Sequence, residues 1–564
     1  MHTKTAKYNV GGLILLVLAM GGVLQMECSR QEIVVVSSAA LREQAIEESG
    51  RAIRPGEPGK RPFWNVHATR FIYAPAFGFR EIEGATSYAF VAHCAGDTSF
   101  RWQVDKPWRP IPEKIWRHMP VGYVSLSVTA LARDGEVLQQ CGARRFYRAA
   151  VFDGLRELQR GMYLQSAKRG LEFLYRSSWL RHWLERGEPD PHYSLYCYPS
   201  KMVAAVIEGM LLFADLVPEH ADTALAIARR AADYLISISE PPTSLLPHFP
   251  PTYDEKHIRP DIDYANDVDM PWGRRMSRAN AGKIMLIYPA EVGIAYLDLY
   301  ARTRIIKYRN AAWNIAETYL RVQDEEGRWP LLMDVQTGER PFGTYANPTG
   351  IVSLLRRVRI PENSYRYDRA IDKAERIWMD KMAAFDFEAQ FEDQGPAPRY
   401  ENQANGPALE TAMRFFGKAR IQPEMASLAD EYLRFAEDQF VVWSDPVPEP
   451  RPGESSESWF IFPCALEKYQ CYQPIDAHAA NFCLAYVTAY RATGKVLYLA
   501  KAVALANSIT RAQDPKTGRF PTWWKRHQID APGWLNCAVL DAKALVALDS
   551  LLGELNIRFV AEGK

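Results

Sequence analysis

The sequence predicts a mainly α chain: an (α/α)6 toroid of six helical hairpins preceded by a small β-sandwich domain. Three observations predict it. From about residue 150 onward, apolar residues recur at helical spacing, and the helices come in pairs joined by short polar turns. One phrase is written twice, RVQDEEGRWP at 321–330 and RAQDPKTGRFP at 511–521. Residues 61–149 instead alternate in period two between Gly, Pro and Ser breaks.

Residues 1–27 read as an export signal, with Lys4 and Lys7 ahead of the apolar run GGLILLVLAMGGVL. That run is short for a membrane span. Cys28 follows it and offers a lipid attachment point, although Gln25, Met26 and Glu27 depart from the small residues such sites favour. The expected location is the periplasm or the bacterial cell surface. Residues 28–60, charged and rich in Gly and Pro, read as a linker. In 61–149, VGYVSLSVTALARDGEVLQ alternates around Tyr123, Ser125 and Ser127 and turns at Asp134-Gly135.

The helical part, 150–564, reads as pairs 199–217 with 221–239, 289–303 with 306–323, 347–358 with 367–384, 405–419 with 424–441, and 475–493 with 496–513. A first helix at 163–186 lacks an early partner and a last helix at 534–553 lacks a later one, so pairing first with last closes six hairpins. The repeat supports that count. At an offset of 190 residues, Tyr300, Thr303, Tyr308, Arg321, Gln323 and Asp324 align with Tyr490, Thr493, Tyr498, Arg511, Gln513 and Asp514. Three hairpins in 190 residues is about 63 each, a plausible helical-hairpin repeat. Stacked pairs bury the faces that one pair leaves open, and a closed ring leaves no exposed end.

With these hairpins, the Y-x-x-T-x-x-x-x-Y helix junction and the G-R-aromatic-P loop, residues 150–564 resemble the six-hairpin glycosidase superfamily. The strand pattern F-x-x-I-x-G-A-x-x-Y-x-F of 61–149 resembles fibronectin type III-like sandwiches. The first resemblance implies a glycan-processing enzyme, and it leaves several reactions open: glycoside hydrolysis of uronate linkages, β-elimination by a lyase, or C5 epimerisation. A non-catalytic glycan-binding protein is the alternative from another class.

Composition narrows the partners. Lys plus Arg is 68 against 67 for Asp plus Glu, which gives no electrostatic basis for nucleic-acid binding. The partner that the resemblance implies is an oligo- or polysaccharide containing uronic acid. None of the eight Cys has CxxC spacing, so neither a metal site nor a cofactor is expected. Cys94 and Cys141 share the small domain and pair if oxidised, or else are two buried thiols.

The connections between pairs are long and polar, and each delivers the chain to the start of an inner helix. The candidate residues are those that these arrivals carry. Glu401 in RYENQANG and Asp476 in PIDAHAANF form the leading carboxyl pair, with Asp334 third. Hydrolysis needs one protonated and one ionised carboxyl. The helix start favours an ionised Asp476 as base, leaving Glu401 as acid. Arg274, Arg275, Arg340 and Arg399 offer guanidinium forks for a uronate. Tyr345, Asn347, Tyr400, Asn405 and His478 complete a polar set that equally suits a lyase or epimerase. Trp329, Trp523 and Trp524 are candidate sugar platforms, with loop packing as the alternative for Trp329 and Phe520.

Overall fold

The computed structural model describes residues 34–53, 68–154, 162–259, 261–262, 270–384, 386–393, 403–419, 421–444, 458–468, 473–529, 533–555 and 557–560. The expected export signal and Cys28 lie outside the described residues.

Part of the expected linker is structured. Strand β1 (Val34–Ser37) leads into helix α1 (Ser38–Ser49), whose first turn is capped by Ser37 Oγ accepting from Ala40 N at 3.2 Å. Leu41 and Ala45 bury the face of α1 that meets the helical body. The Gly/Pro-rich composition that suggested a tether belongs to the later half of 28–60; the earlier half has an apolar face to bury.

Strands β2 (Arg70–Phe71), β3 (Ser87–Cys94), β4 (Ser99–Val104), β5 (Gly122–Leu131) and β6 (Val137–Arg148) form one sheet in the order β2-β6-β5-β3-β4. Only β2 and β6 run parallel. The period of two appears as buried Tyr88, Phe90 and Ala92 on β3 and Val124, Leu126, Val128 and Ala130 on β5. Helix α2 (Glu113–His118) lays Trp116 on that face. Among the described residues this is a single sheet, not the two facing sheets of the expected sandwich. Cys94 and Cys141 are free thiols on β3 and β6, kept apart by the intervening β5.

Helices α3 (Met162–Arg176) and α4 (Ser178–Glu185) replace the single helix expected at 163–186, because Ser177 turns to extended backbone (ψ 137°). Then come α5 (Pro199–Leu216) and α6 (Ala221–Ile238), the short α7 (Met270–Ala279), β7 (Lys283–Met285), α8 (Tyr288–Thr303) and α9 (Ile306–Val322). They are followed by β8 (Leu332–Asp334), α10 (Thr349–Val358), α11 (Ser364–Ala383), α12 (Asn405–Lys418) and α13 (Glu424–Phe440). The chain ends with β9 (Val441–Val442), β10 (Cys464–Ala465), α14 (Asp476–Thr493), α15 (Val496–Ala512), α16 (Leu535–Glu554) and β11 (Ile557–Val560). Strand β11 pairs in parallel with β1.

The hairpins are α5–α6, α8–α9, α10–α11, α12–α13, α14–α15 and, joining the last helix to the first, α16–α3. The inner helices touch in a closed circuit, α5 to α8, α10, α12, α14, α16 and back to α5. Such closure removes the unpaired ends of an open helical stack. Helices α5, α14 and α16 carry buried residues around most of their circumference, as the central layer of a two-layer ring must.

The doubled phrase makes the same turn twice. Gln323 Nε2 donates to Gly327 O (3.0 Å) and to Ala370 O of α11 (2.9 Å); Gln513 Nε2 donates to Gly518 O (2.7 Å) and to Ser166 O of α3 (2.9 Å). Trp329 and Phe520 are both buried, the indole Nε1 of Trp329 donating to Tyr319 O at 2.8 Å. The aromatic in each phrase packs beneath its loop.

Candidate active site

The bore of the ring holds a cavity of about 1060 Å³. All six inner helices contribute to its wall: Lys201 and Glu208 from α5, Tyr288 and Glu291 from α8, Thr349 from α10, Glu410 from α12, His478 and Asn481 from α14, and Asn536 and Lys543 from α16. Ile287, Ile294, Val539 and Leu540 supply apolar wall between them.

Lys201 is anchored at the entrance. Its Nζ meets Glu392 Oε1 at 2.7 Å, and Tyr288 OH donates to Glu392 Oε2. The Glu392 side chain is fully buried. Burial opposes the Lys201 charge, but Glu392 and Asp393 outweigh it and hold the ammonium above its ordinary pKa. The ammonium also lies 4.5 Å from the centre of the Trp534 ring. Asp393, next in the chain and on the cavity wall, is pushed up by burial and by Glu392, with Lys201 opposing.

In the first turn of α8, Glu291 is open to the cavity yet enclosed by the ring. That enclosure, with Glu208, Glu410 and Glu392 nearby, lifts its carboxyl to about 8 against the pull of Lys201. Glu208 is charge-paired, its Oε2 2.6 Å from Lys543 Nζ. Glu410 accepts from Thr349 Oγ1, and enclosure raises its pKa despite that bond.

His478 donates Nδ1–H to Asn405 Oδ1, since Asn405 Nδ2 is committed to Leu466 O at 3.0 Å. Its Nε2 therefore carries the lone pair on the cavity side. Burial and the charge of Lys201 push the ring down to about 3, so it stays neutral across the physiological range. Three buried polar atoms on wall residues have no partner among the described residues: Tyr198 OH, Gln528 Oε1 and Asn536 Oδ1. Unsatisfied buried groups lining a cavity mark where a polar ligand can supply the missing bonds.

The loop residues selected from sequence distribute unevenly around this cavity. Asn347, His478 and Trp523 lie on its wall, and Asn405 stands behind His478. Glu401, Arg399 and Tyr400 lie outside the described residues. Asp476 is not on the wall; it is buried beside Asp541, with Oδ1 accepting from Ala477 N at 2.6 Å. Burial pushes its pKa up, opposite to the ionised state expected from the helix start, because one N–H bond does not offset loss of water on all sides. Asp334 is a turn anchor, its Oδ1 accepting from Gln336 N and Thr337 N at 2.9 and 2.8 Å. Those bonds lower its pKa. Arg274, Arg275 and Arg340 are exposed and off the wall. Tyr345 stacks under the Arg328 guanidinium at 4.0 Å, and Trp329 and Trp524 are buried away from the cavity.

Of the wall acids and lysines that sequence reading missed, Asp393, Glu467, Lys468 and Lys525 lie on connections, while Lys201, Glu208, Glu291, Glu410 and Lys543 sit inside helices. Lys201 and Glu208 are seven residues apart in the otherwise apolar stretch that forms α5, so they share one face. Asn536 and Lys543 repeat that spacing on α16. Two polar residues on one stripe of a helix buried all round were the available signal.

No protein-family model matches the chain, and no curated protein matches it. Among solved structures, it is similar to a family 76 glycoside hydrolase from a bovine Bacteroides thetaiotaomicron strain. The identity is 9% over 82% of this chain and 93% of that one, with a TM-score of 0.41. It is similar to cellobiose 2-epimerase from Spirochaeta thermophila DSM 6192 at 14% identity, over 70% of this chain and 99% of that one, with a TM-score of 0.41. An unsaturated glucuronyl hydrolase specific for heparin gives 9% identity, coverage of 70% and 99%, and a TM-score of 0.42. The ring assignment stands on the helix contacts of the chain itself.

Proposed function

We propose that this chain is a carbohydrate-active enzyme that hydrolyses a glycosidic bond inside the bore, with Glu291 as general acid and Glu208 as its carboxylate partner. The observation that carries the reading is the pairing of unlike carboxyls in one cavity. Glu291 keeps its proton near neutral pH, and Glu208 is held against Lys543. That is the division of labour glycoside hydrolysis requires: one acid to protonate the leaving oxygen, one carboxylate to activate water or attack the sugar. Trp523 and Trp534 on the wall offer faces for the apolar side of a sugar ring, and Tyr198, Gln528 and Asn536 offer unspent hydrogen bonds to hydroxyls.

For a uronate-bearing glycan, Lys468 and Lys525 add positive charge to the wall, whereas Arg274, Arg275 and Arg340 stand off it. Export through residues 1–27 belongs to the same proposal and places the substrate outside the cytoplasm. The test is a panel of aryl glycosides, aryl glucuronides and uronate oligosaccharides assayed with wild type, Glu291→Gln and Glu208→Gln. Undiminished hydrolysis by either variant removes that residue from the reaction.

A second reading is favoured by His478, a neutral imidazole whose Nε2 lone pair faces the cavity near Lys201. Such a group suits removal of a proton beside a carboxylate or carbonyl, as a lyase or epimerase requires. An unsaturated product absorbing near ~230 nm, or deuterium entering the sugar without cleavage, selects this reading over hydrolysis.

A further inference from the structure

We infer that the bore is a blind crater that takes one end of a glycan, so that the enzyme acts on chain ends and not within chains. The inference rests on the reading of the bore as a glycan site. Two features of the wall carry it.

The first is the rim. Every connection that leads to an inner helix contributes to the wall: Tyr198 ahead of α5, Gly273 ahead of α8, Asn347 ahead of α10, Phe391 ahead of α12, Gln473 ahead of α14 and Trp523 ahead of α16. A groove that lets a chain pass through must be open on two opposite sides. Here each of the six sectors of the ring has a wall residue.

The second is the floor. From Lys201 to Glu208 along α5, and from Asn536 to Lys543 along α16, the wall descends seven residues, about 10 Å at 1.5 Å per residue. The Glu208–Lys543 ion pair joins α5 to α16 at that depth. One turn further, the apolar positions in register on five of the inner helices are Leu211 and Leu212, Leu297, Met413, Leu484 and Val546, all of which belong to or pack against the apolar core. The charged positions of that turn, Asp298 and Arg414, are paired with Arg357 and Glu375. None of these residues lines the cavity, so the wall ends within one helical turn of the Glu208–Lys543 pair. About 10 Å of depth holds one or two sugar rings stacked end-on, with the rest of the chain outside the rim.

The experiment uses the full chain and two readouts. Binding of a neutral and a uronate oligosaccharide series is measured by calorimetry on Glu291→Gln, from one sugar upward. In parallel, wild type is followed on the polymer by viscosity and by the sizes of the first products. A blind crater predicts affinity that stops rising after about two sugars, first products of one or two sugars, and little early loss of viscosity. Leu540→Trp, which fills the lower wall, is expected to weaken binding of the two-sugar ligand more than tenfold relative to the one-sugar ligand. Affinity that keeps climbing with length, or an early viscosity drop with internal fragments, overturns the crater while leaving hydrolysis intact. Neither binding nor turnover across the series overturns the glycan reading and the crater with it.

Discussion

His478 Nδ1 and Asn405 Oδ1 lie 2.9 Å apart, and this one bond fixes which ring nitrogen faces the cavity. Asn405 holds the ring from the first residue of α12 while His478 sits in the first turn of α14, so two inner helices set the orientation jointly. Asn405→Asp places a carboxylate against the ring and favours the imidazolium. The His478 pKa is then expected to rise from about 3. A nearby opposite charge is worth roughly 1–3 units. An NMR titration of the ring checks this, and matching curves in wild type and variant refute the assignment.

Glu291, with its pKa near 8, predicts an alkaline limb in the rate profile. The protonated form is the acid, so activity is retained below that value and falls as pH rises through it. Glu291→Gln removes the limb and lowers kcat by about 10²–10⁴-fold, the usual worth of a general acid. Glu208→Gln deletes one of the charges that repel Glu291, so the carboxyl gives up its proton more readily. Any activity remaining in that variant has its limb displaced to lower pH, by on the order of one unit. A wild-type profile flat through pH 9 rules Glu291 out as the acid.

The hairpins were legible in the sequence because their signals are local. Helical period, short turns such as ATGK at 492–495 and the doubled Gln-Asp…Gly-Arg turn each act within a few residues. The inner-helix boundaries follow them closely: 405–419 was expected and Asn405–Lys418 is found. The site was less legible because Glu291, Glu208 and Glu410 stand on three separate inner helices and become neighbours only when the ring closes. Asp476 shows the other failure. Its place at a helix start is local and visible; its burial against Asp541 of α16 depends on a helix 59 residues downstream in the chain, measured from its first residue Leu535. The long-range term won.

Asp476 and Asp541 form a buried acid pair in which Asp476 Oδ2 and both Asp541 oxygens have no hydrogen-bond partner among the described residues. Two carboxyls side by side in a dry site share a proton instead of both ionising, and burial raises both pKa values. The folded state therefore holds a proton that the unfolded chain, with ordinary carboxyls near 3.8, releases. Stability contributed by the pair is complete below the ordinary value and declines as pH rises from about 4 toward the raised folded values. Asp541→Asn keeps a donor for Asp476 without the second charge. It is expected to raise Tm at pH 8 by a few °C, with no gain near pH 4. Chemical or thermal melts at the two pH values check the sign. Equal effects at both sink the shared-proton account.

Glu48 of α1 reaches 447 residues along the chain to Lys495 and also meets Lys501 at 3.1 Å, while Lys501 meets Glu437 at 2.7 Å. Lys501 is only 1% exposed. Burial alone would raise the Glu48 carboxyl, but Lys501 and Lys495 hold it down to about 2. A depressed acid stabilises the fold above its ordinary value of 4.5, and the contribution is lost as pH falls toward 2. Glu48→Ala leaves Lys501 with Glu437 as its one carboxylate partner in a dry site. Breaking such a pair costs about 3–5 kcal/mol. Denaturant melts at pH 7 and pH 3 measure it: a large deficit at pH 7 that shrinks at pH 3 is expected. A deficit that does not change with pH assigns the loss to packing of α1 instead.

Gly518 and Gly327 end the two copies of the repeated turn, at φ +83° and +98°. A Cβ at Gly518 stands 2.7 Å from Arg169 O of α3, and one at Gly327 stands 2.8 Å from Lys373 C of α11. Both atoms are backbone, so neither neighbour can swing away. Gly518→Ala therefore incurs two costs, the left-handed backbone and the displacement of α3, which belongs to the hairpin that closes the ring. Gly494 separates them: it has φ +69°, yet a Cβ there meets nothing within 4 Å. Gly494→Ala is expected to cost about 1 kcal/mol from conformation alone. Gly518→Ala and Gly327→Ala should each exceed it by roughly 1–3 kcal/mol, the usual penalty of overpacking. Equilibrium melts of the three variants decide it. Equal losses at all three would mean that the repeated glycine serves only the turn, and that the close approach of the next outer helix is not what the doubled phrase maintains.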